Sequence, residues 1–227
     1  MKLHTQEWGQ GDRIALLVHG IMSDHRTWRR VGPALADKGY RVIAADLRGH
    51  GASGRGEYGA EIFADDLVDT LPKGAELAIG HSLGGLALSL AVERLAPARA
   101  VYSDPAWSLT GARPEMFVEF QGASRAAIAA LNPRWEAEDV EVELATLALW
   151  DPDTAYGVPG YEPGDRTPDA PAVPSLVQAA ELSPLVSDEL KQKLTARGFE
   201  VRTVAGAGHT IHRDDFEAFM TSLDGWI

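Results

Sequence analysis

Leu77-Ala78-Ile79-Gly80-His81-Ser82-Leu83-Gly84-Gly85-Leu86-Ala87-Leu88 is the stretch from which the architecture of this chain is read. An apolar run arrives at Gly80, a serine stands between two glycines, and a long apolar, helix-favouring run leaves it. The order predicts a strand, a sharp turn with Ser82 at its apex, and a helix. Glycines at 80 and 84 suit such a turn, because the apical serine is forced into a strained backbone conformation and bulky neighbours would clash. The bend lifts the Ser82 hydroxyl above the sheet edge. The helix that follows aims its first N–H groups at whatever forms there, which suits a nucleophile whose attack generates an oxyanion. In a chain of 227 residues with 23 glycines, Gly-x-Ser-x-Gly arises by chance about 0.1 times, so its weight comes from its surroundings. The bland alternative is a glycine-rich turn with a capping serine.

Outward from this turn, buried-strand runs alternate with helical spacing. Ile14-Ala15-Leu16-Leu17-Val18, Arg41-Val42-Ile43-Ala44-Ala45, Leu77 to Ile79, Arg99 to Ser103, Ser175 to Ala179 and Phe199 to Val204 are short apolar runs of the kind buried on both faces of a parallel sheet. Lys2 to Trp8 reads as an edge strand. Helical spacing is predicted for Trp28 to Lys38, Glu61 to Thr70, Leu83 to Leu95, Asp188 to Ala196 and Asp214 to Leu223. The alternation implies a doubly wound, mostly parallel α/β sheet. It stops between 106 and about 170, where Glu115 to Leu131 and Glu138 to Trp150 look helical and Asp151 to Pro174 reads as loop. The expected organisation is a core of residues 1–105 and 171–227 with a small helical lid, 106–170, over the C-terminal edge of the sheet, where such sheets bind ligands.

Composition removes several classes of function. The net charge of −12 disfavours nucleic acid and anionic membrane surfaces, which need basic faces. The acidic groups Asp65-Asp66 with Asp69, and Glu136-Ala137-Glu138-Asp139-Val140-Glu141, read as solvated helix faces. No cysteine is present, so disulfides, thiolate catalysis and cysteine-ligated metals are excluded. No apolar leader is visible at Met1 to Glu7 and no stretch reaches a membrane-spanning length, so a cytoplasmic protein without a membrane partner is expected.

Three loops at predicted strand ends carry reactive side chains, in the order Ser82, Asp104, His209. Together with His19-Gly20-Ile21-Met22, Asp46-Leu47-Arg48-Gly49-His50-Gly51-Ala52-Ser53 and Gly206-Ala207-Gly208-His209, the sequence resembles the α/β-hydrolase superfamily over almost the whole chain outside the inserted segment. The resemblance implies the α/β-hydrolase fold, with Ser82 as nucleophile and His209 as the base it needs. It also implies an oxyanion hole from the backbone N–H groups of Ile21 and Leu83. The family pattern after the strand that follows the insertion resembles Gly-x-x-Asp-Pro-Leu-Val, and here Ser183 stands where Asp would be. The resemblance then implies Asp104, at the position some members use, as the acid that orients the histidine, with Glu181 as the rival. His212 is the rival histidine and reads as structural. His25, His50 and His81 read as loop or packing residues, and Asp46 and Arg48 as loop-stabilising.

A serine at the elbow argues against the haloalkane dehalogenases and epoxide hydrolases of the superfamily, which carry Asp there. The leading expectation is hydrolysis of a carboxylic ester, thioester or lactone of a small to medium acyl substrate, without cofactor or metal. Trp107, Met116, Phe117, Phe120, Trp135 and Trp150 are candidates to line an apolar pocket. Carbon–carbon bond hydrolases, cofactor-free dioxygenases with a His–Asp base, and non-catalytic small-molecule receptors use the same scaffold and remain alternatives.

Overall fold

The computed structural model describes residues 1–108, 113–157 and 165–227. Its centre is a seven-stranded sheet: β1 (Thr5–Trp8), β2 (Ile14–Val18), β3 (Arg41–Ala45), β4 (Leu77–His81), β5 (Ala100–Ser103), β6 (Ser175–Ala180) and β7 (Glu200–Val204), in the spatial order β1-β3-β2-β4-β5-β6-β7. Only β1 runs antiparallel to its neighbour. The rest are parallel. Chain order reverses direction between β2 and β4, so the crevice at their C-terminal ends is the switch point where open sheets bind ligands.

Side chains alternate along the strands. Leu16, Val18, Ile43, Ala45, Ala78, Tyr102 and Val177 face one apolar layer. Ala15, Leu17, Val42, Ala44, Ile79, Val101 and Leu176 face the other. The first layer is closed by α2 (Ala60–Thr70), α3 (Leu83–Leu95) and α8 (Asp188–Ala196) through Phe63, Leu67, Leu86 and Leu194. The second is closed by α1 (Val31–Asp37), the short α9 (Ile211–Asp214) and α10 (Phe216–Thr221) through Val31, Leu35, Ile211 and Phe219. With both faces covered, the five inner strands β2 to β6 are buried almost completely, and each large apolar side chain so removed from water contributes about 1.5–3 kcal/mol. Trp28 to Lys38 divides into a 3-10 turn, His25–Trp28, and α1. The closing helix divides likewise where Asp215 ends α9 and its side chain caps α10 at Ala218.

Between β5 and β6 lies a helical insertion: α4 (Pro114–Val118), a 3-10 turn (Glu119–Gly122), α5 (Arg125–Leu131), α6 (Ala137–Leu147) and α7 (Asp153–Gly157). The spacing predicts one helix from Glu115 to Leu131. The structure breaks it at Gly122 to Ser124, where Ser124 instead caps α5 by accepting from the Ala127 N–H. The loop read over 151–174 contains α7, and its part at 158–164 lies outside the described residues, as do 109–112 of the lid read from sequence. The insertion has its own small core around Ile128, Val140, Leu147 and Trp150.

The acidic clusters are not plain solvated faces. Asp66 is buried and paired with Arg48 at 2.5 Å and with the N-terminal amine. Asp139 is buried between Arg29, at 2.9 Å, and Arg213, at 3.9 Å. Arg29 also reaches Glu136 at 2.6 Å and Glu138 at 2.9 Å, and so fastens α6 to the 3-10 turn His25–Trp28 of the body. No helix among the described residues is long and apolar enough to cross a membrane.

Candidate active site

The turn between β4 and α3 is sterically determined. Ser82 holds φ 53° and ψ −118°, a left-handed conformation costly for any residue but glycine. Its neighbours permit it by having no side chains. A Cβ on Gly84 would lie 2.3 Å from the Val18 carbonyl oxygen, and one on Gly80 would lie 2.5 Å from the Gly84 carbonyl oxygen. Register carries the next strand alongside: the Ser82 N–H donates to the Ser103 carbonyl at 3.1 Å, and the Asp104 N–H to the Gln178 carbonyl at 2.8 Å. Asp104 itself has φ 42°, which turns its fully buried carboxylate towards the loop after β7.

That loop delivers His209. Its Nδ1 lies 2.6 Å from Asp104 Oδ2 and its Nε2 lies 2.9 Å from Ser82 Oγ. A carboxylate only accepts, so Nδ1 carries the proton and Nε2 presents its lone pair to the serine hydroxyl. Glu181 is engaged elsewhere: its Oε2 accepts from the Gly206 N–H at 2.6 Å and so holds the same loop from below. Ser183, at the position of the family acid, lines the cavity beside Ser82 and accepts from the Leu185 N–H.

His81 lies under the arrangement. Its Nε2–H donates to the His209 carbonyl at 2.9 Å, and its ring stands 4.7 Å from the His209 ring. Burial, then the neighbouring His209 and His212, push His81 well below the ordinary imidazole range, so it stays neutral. His212 is buried and stacks on Trp28 at 4.4 Å, with both ring nitrogens unpartnered among the described residues. His19 ties two loops together: Nδ1–H donates to the Gly20 carbonyl at 2.7 Å and Nε2 accepts from the Leu47 N–H at 2.9 Å. Burial lowers the His50 imidazole to about 3.

Ile21 and Leu83 line a cavity of about 280 Å³ together with Ser82 and His209. Leu83 is the first residue of α3, so its N–H has no acceptor within the helix. The walls are largely apolar: Met22, Ala106, Phe117, Trp135 and Leu185. Of the six aromatic and methionine candidates, Phe117 and Trp135 line this cavity, and Phe120 lines an adjoining one of about 400 Å³ that shares Trp135 and His209. The other three do not. Trp107 belongs to the body core and donates to Ser89 Oγ at 3.1 Å, Trp150 is buried within the insertion, and Met116 is exposed. Glu143 and Arg213 also line the cavity, joined by a 2.6 Å ion pair. Sequence reasoning missed both, because the pair links α6 to α9 across 70 residues and no local spacing announces it.

Among the described residues one group brings possible metal-binding atoms together: His4, His25 and Asp46, within 4.8 Å of one another. Asp46 there accepts from His4 Nδ1 at 3.0 Å, the His25 N–H at 2.7 Å, His25 Nδ1 at 2.8 Å and the Ala52 N–H at 3.0 Å. Four donors saturate the carboxylate, so the group is explained as the hydrogen-bonded hub of the 46–54 loop.

The model of the alpha/beta hydrolase family matches residues 15–221. The 2-(acetamidomethylene)succinate hydrolase of Mesorhizobium japonicum is 30% identical over 228 aligned positions, covering 90% of this chain and 77% of that protein. The bifunctional epoxide hydrolase 2 of Sus scrofa is 37% identical over 93 residues, 38% of this chain but only 17% of that longer protein. Among solved structures, an N-formylmaleamic acid deformylase from Pseudomonas putida superposes with a TM-score of 0.81 at 23% identity, covering 97% of this chain and 95% of that one. The enol-lactonase of Burkholderia xenovorans gives 0.78, also at 23% identity, covering 99% and 95%. At that identity the likeness shows the fold.

Proposed function

The chain belongs to the alpha/beta hydrolase family, and from that premise we propose that it is a serine hydrolase cleaving a carboxylic ester, thioester or lactone of small to medium size through an acyl-enzyme. One observation carries the reading. Ser82 Oγ, His209 and Asp104 stand in a continuous chain of 2.9 and 2.6 Å contacts at the mouth of an apolar cavity. In this reading His209 Nε2 takes the serine proton as Oγ adds to the carbonyl carbon. The N–H groups of Leu83 and Ile21 receive the developing oxyanion, each contributing about 3 kcal/mol. His209 then protonates the departing alcohol, or the thiol of a thioester, and water repeats the sequence on the acyl-enzyme. Asp104 fixes the imidazole tautomer and stabilises the imidazolium. The helical insertion acts as lid, and the roughly 280 Å³ beside Ser82 favours short acyl groups over long ones.

Turnover of p-nitrophenyl esters of graded chain length, with fluorophosphonate labelling, tests the proposal. The parent is expected to label at Ser82 and to prefer short chains. Ser82→Ala should abolish both labelling and turnover. Asp104→Asn should lower kcat by about 10³–10⁴-fold, while Glu181→Gln lowers it by tenfold at most. Full activity in Asp104→Asn with loss in Glu181→Gln would transfer the acid to Glu181. Turnover surviving in Ser82→Ala would end the serine reading.

A further inference from the structure

The loop that carries His209 is held from two directions, by the body and by the insertion. Glycines at 206 and 208 flank the approach to it, and Gly206 sits at φ +67°. The body supplies the Glu181 carboxylate to the Gly206 N–H, the Leu182 N–H to the Ala207 carbonyl at 3.0 Å, and His81 to the His209 carbonyl. Further bonds come from two consecutive residues of the insertion. The Arg134 guanidinium donates to the Gly206 carbonyl and to the Asp214 carbonyl at 3.3 Å, and pairs with Asp215 at 3.1 Å. The Trp135 indole N–H is shared between Thr210 Oγ1 at 3.0 Å and Asp214 Oδ1 at 2.9 Å. Arg213 lies over the Trp135 ring at 4.0 Å and is held by Glu143 of α6. The insertion therefore holds the chain on both sides of His209: at Gly206 before it, and after it at Thr210, where α9 begins, and at Asp214 and Asp215, where α9 ends.

We propose that Arg134 and Trp135 are positioning residues that hold His209 over Ser82, so that the insertion sets the geometry of the base as well as walling the cavity. This rests on the reading of His209 as general base. A general base works only within about 2.6–3.2 Å of the proton it takes, and a displacement near 1 Å costs on the order of 10²-fold. Glycines at 206 and 208, both before His209, let that approach shift unless it is held. Trp135 also lines both cavities that meet at His209, so the ring a bound acyl group touches is the ring whose N–H holds the loop.

Trp135→Phe separates the two roles, because it keeps an aromatic wall under Arg213 while removing the N–H with part of the indole, so that KM reports the wall and kcat the grip. Arg134→Gln and Arg134→Lys probe the other grip. For each variant the measurements are kcat and KM on p-nitrophenyl acetate, the fluorophosphonate labelling rate, and the melting temperature. Trp135→Phe and Arg134→Gln are expected to lower kcat and labelling in parallel by about tenfold, with KM within about twofold of the parent. Arg134→Lys should regain most of the rate, since an ammonium still reaches one carbonyl. Loss confined to KM, or kcat and labelling within twofold of the parent in folded Trp135→Phe, would overturn the proposal and leave Trp135 as a wall alone. Should Arg134→Gln fail to fold, Trp135→Phe decides by itself. A parent protein that neither labels nor turns over would instead remove the serine–histidine reading, and this inference with it.

Discussion

The two sides of the cavity are built on different principles. On the body side the site is fixed by backbone: strand register sets Ser82 beside Asp104, and steric exclusion at Gly80 and Gly84 leaves the serine one conformation. On the insertion side the elements are short, the apolar core is small, and attachment runs through charged side chains. Arg29 meets Glu136, Glu138 and Asp139, Arg26 donates to the Ala145 carbonyl, and Tyr58 Oη donates to Asp151 at 2.7 Å. Backbone-determined geometry fails all at once when a single methyl is added. Side-chain attachment loosens by degrees and responds to salt. Under the proposed function, the first arrangement suits a nucleophile that must not move, and the second suits a wall that must fit a substrate.

A pair of glycine substitutions tests this contrast most severely. Gly84→Ala puts a Cβ against two backbone carbonyls, at 2.3 and 2.4 Å, that cannot withdraw without shifting β2. It should cost about 3 kcal/mol or more, or give no soluble protein. Gly122→Ala, in the insertion, meets nothing within 4 Å and should change stability by less than about 0.5 kcal/mol. Equal melting temperatures for the two variants would refute the distinction. Next in size is Arg29→Ala, which strips a buried Asp139 of its nearer cation. Solvent reaches part of the Arg29 network, so the expected cost is about 2 kcal/mol, seen as a fall of about 5 °C in melting temperature. High salt should narrow the gap between parent and variant. A fall below 1 °C would mean that the Arg29 network does not hold the insertion.

The same contrast explains what could be read from sequence. The strands of the body are continuous apolar runs, Ser82 stands between glycines and His209 follows two of them, so local pattern locates both. The acid stayed open between Asp104 and Glu181 because the choice depends on which loop leans over which strand end, and each carboxylate lies beside the right region of chain. Only coordinates separate them, one on the imidazole and one on the Gly206 N–H. In the insertion, local pattern misleads. Periodicity over Glu115 to Leu131 does not register that Ser124 competes with the helix by capping a new one. Glu136, Glu138 and Asp139 look solvated because Arg29, their shared partner, is over a hundred residues away. Arg134 and Arg213 were invisible as parts of the site for the same reason.

The smallest predicted effect concerns the joint between the two sides. His25 opens the 3-10 turn from which Arg26 and Arg29 reach the insertion, and its imidazole and backbone N–H both meet Asp46. That hydrogen bond raises the His25 pKa above the ordinary imidazole value, against partial desolvation; Asp46 and Asp24 add to the rise and Arg26 opposes it. Burial opposes ionisation of Asp46, yet the bonds from His25 and the Ala52 N–H and the nearby His19 hold its carboxyl below the usual range. The signs follow from linkage. The His25 contribution is fully present below its unfolded pKa of about 6.5 and is lost as pH rises through the raised folded value. The Asp46 contribution is present above about 3.9 and is lost as pH falls through the depressed one. The pair therefore stabilises most between about pH 4 and 6.5. His25→Asn should lower the melting temperature by about 2 °C near pH 5.5 and by less at pH 9. A deficit of the same size at both pH values would show that His25 serves only as a neutral hydrogen-bond donor, and the joint would then carry no charge of its own between body and insertion.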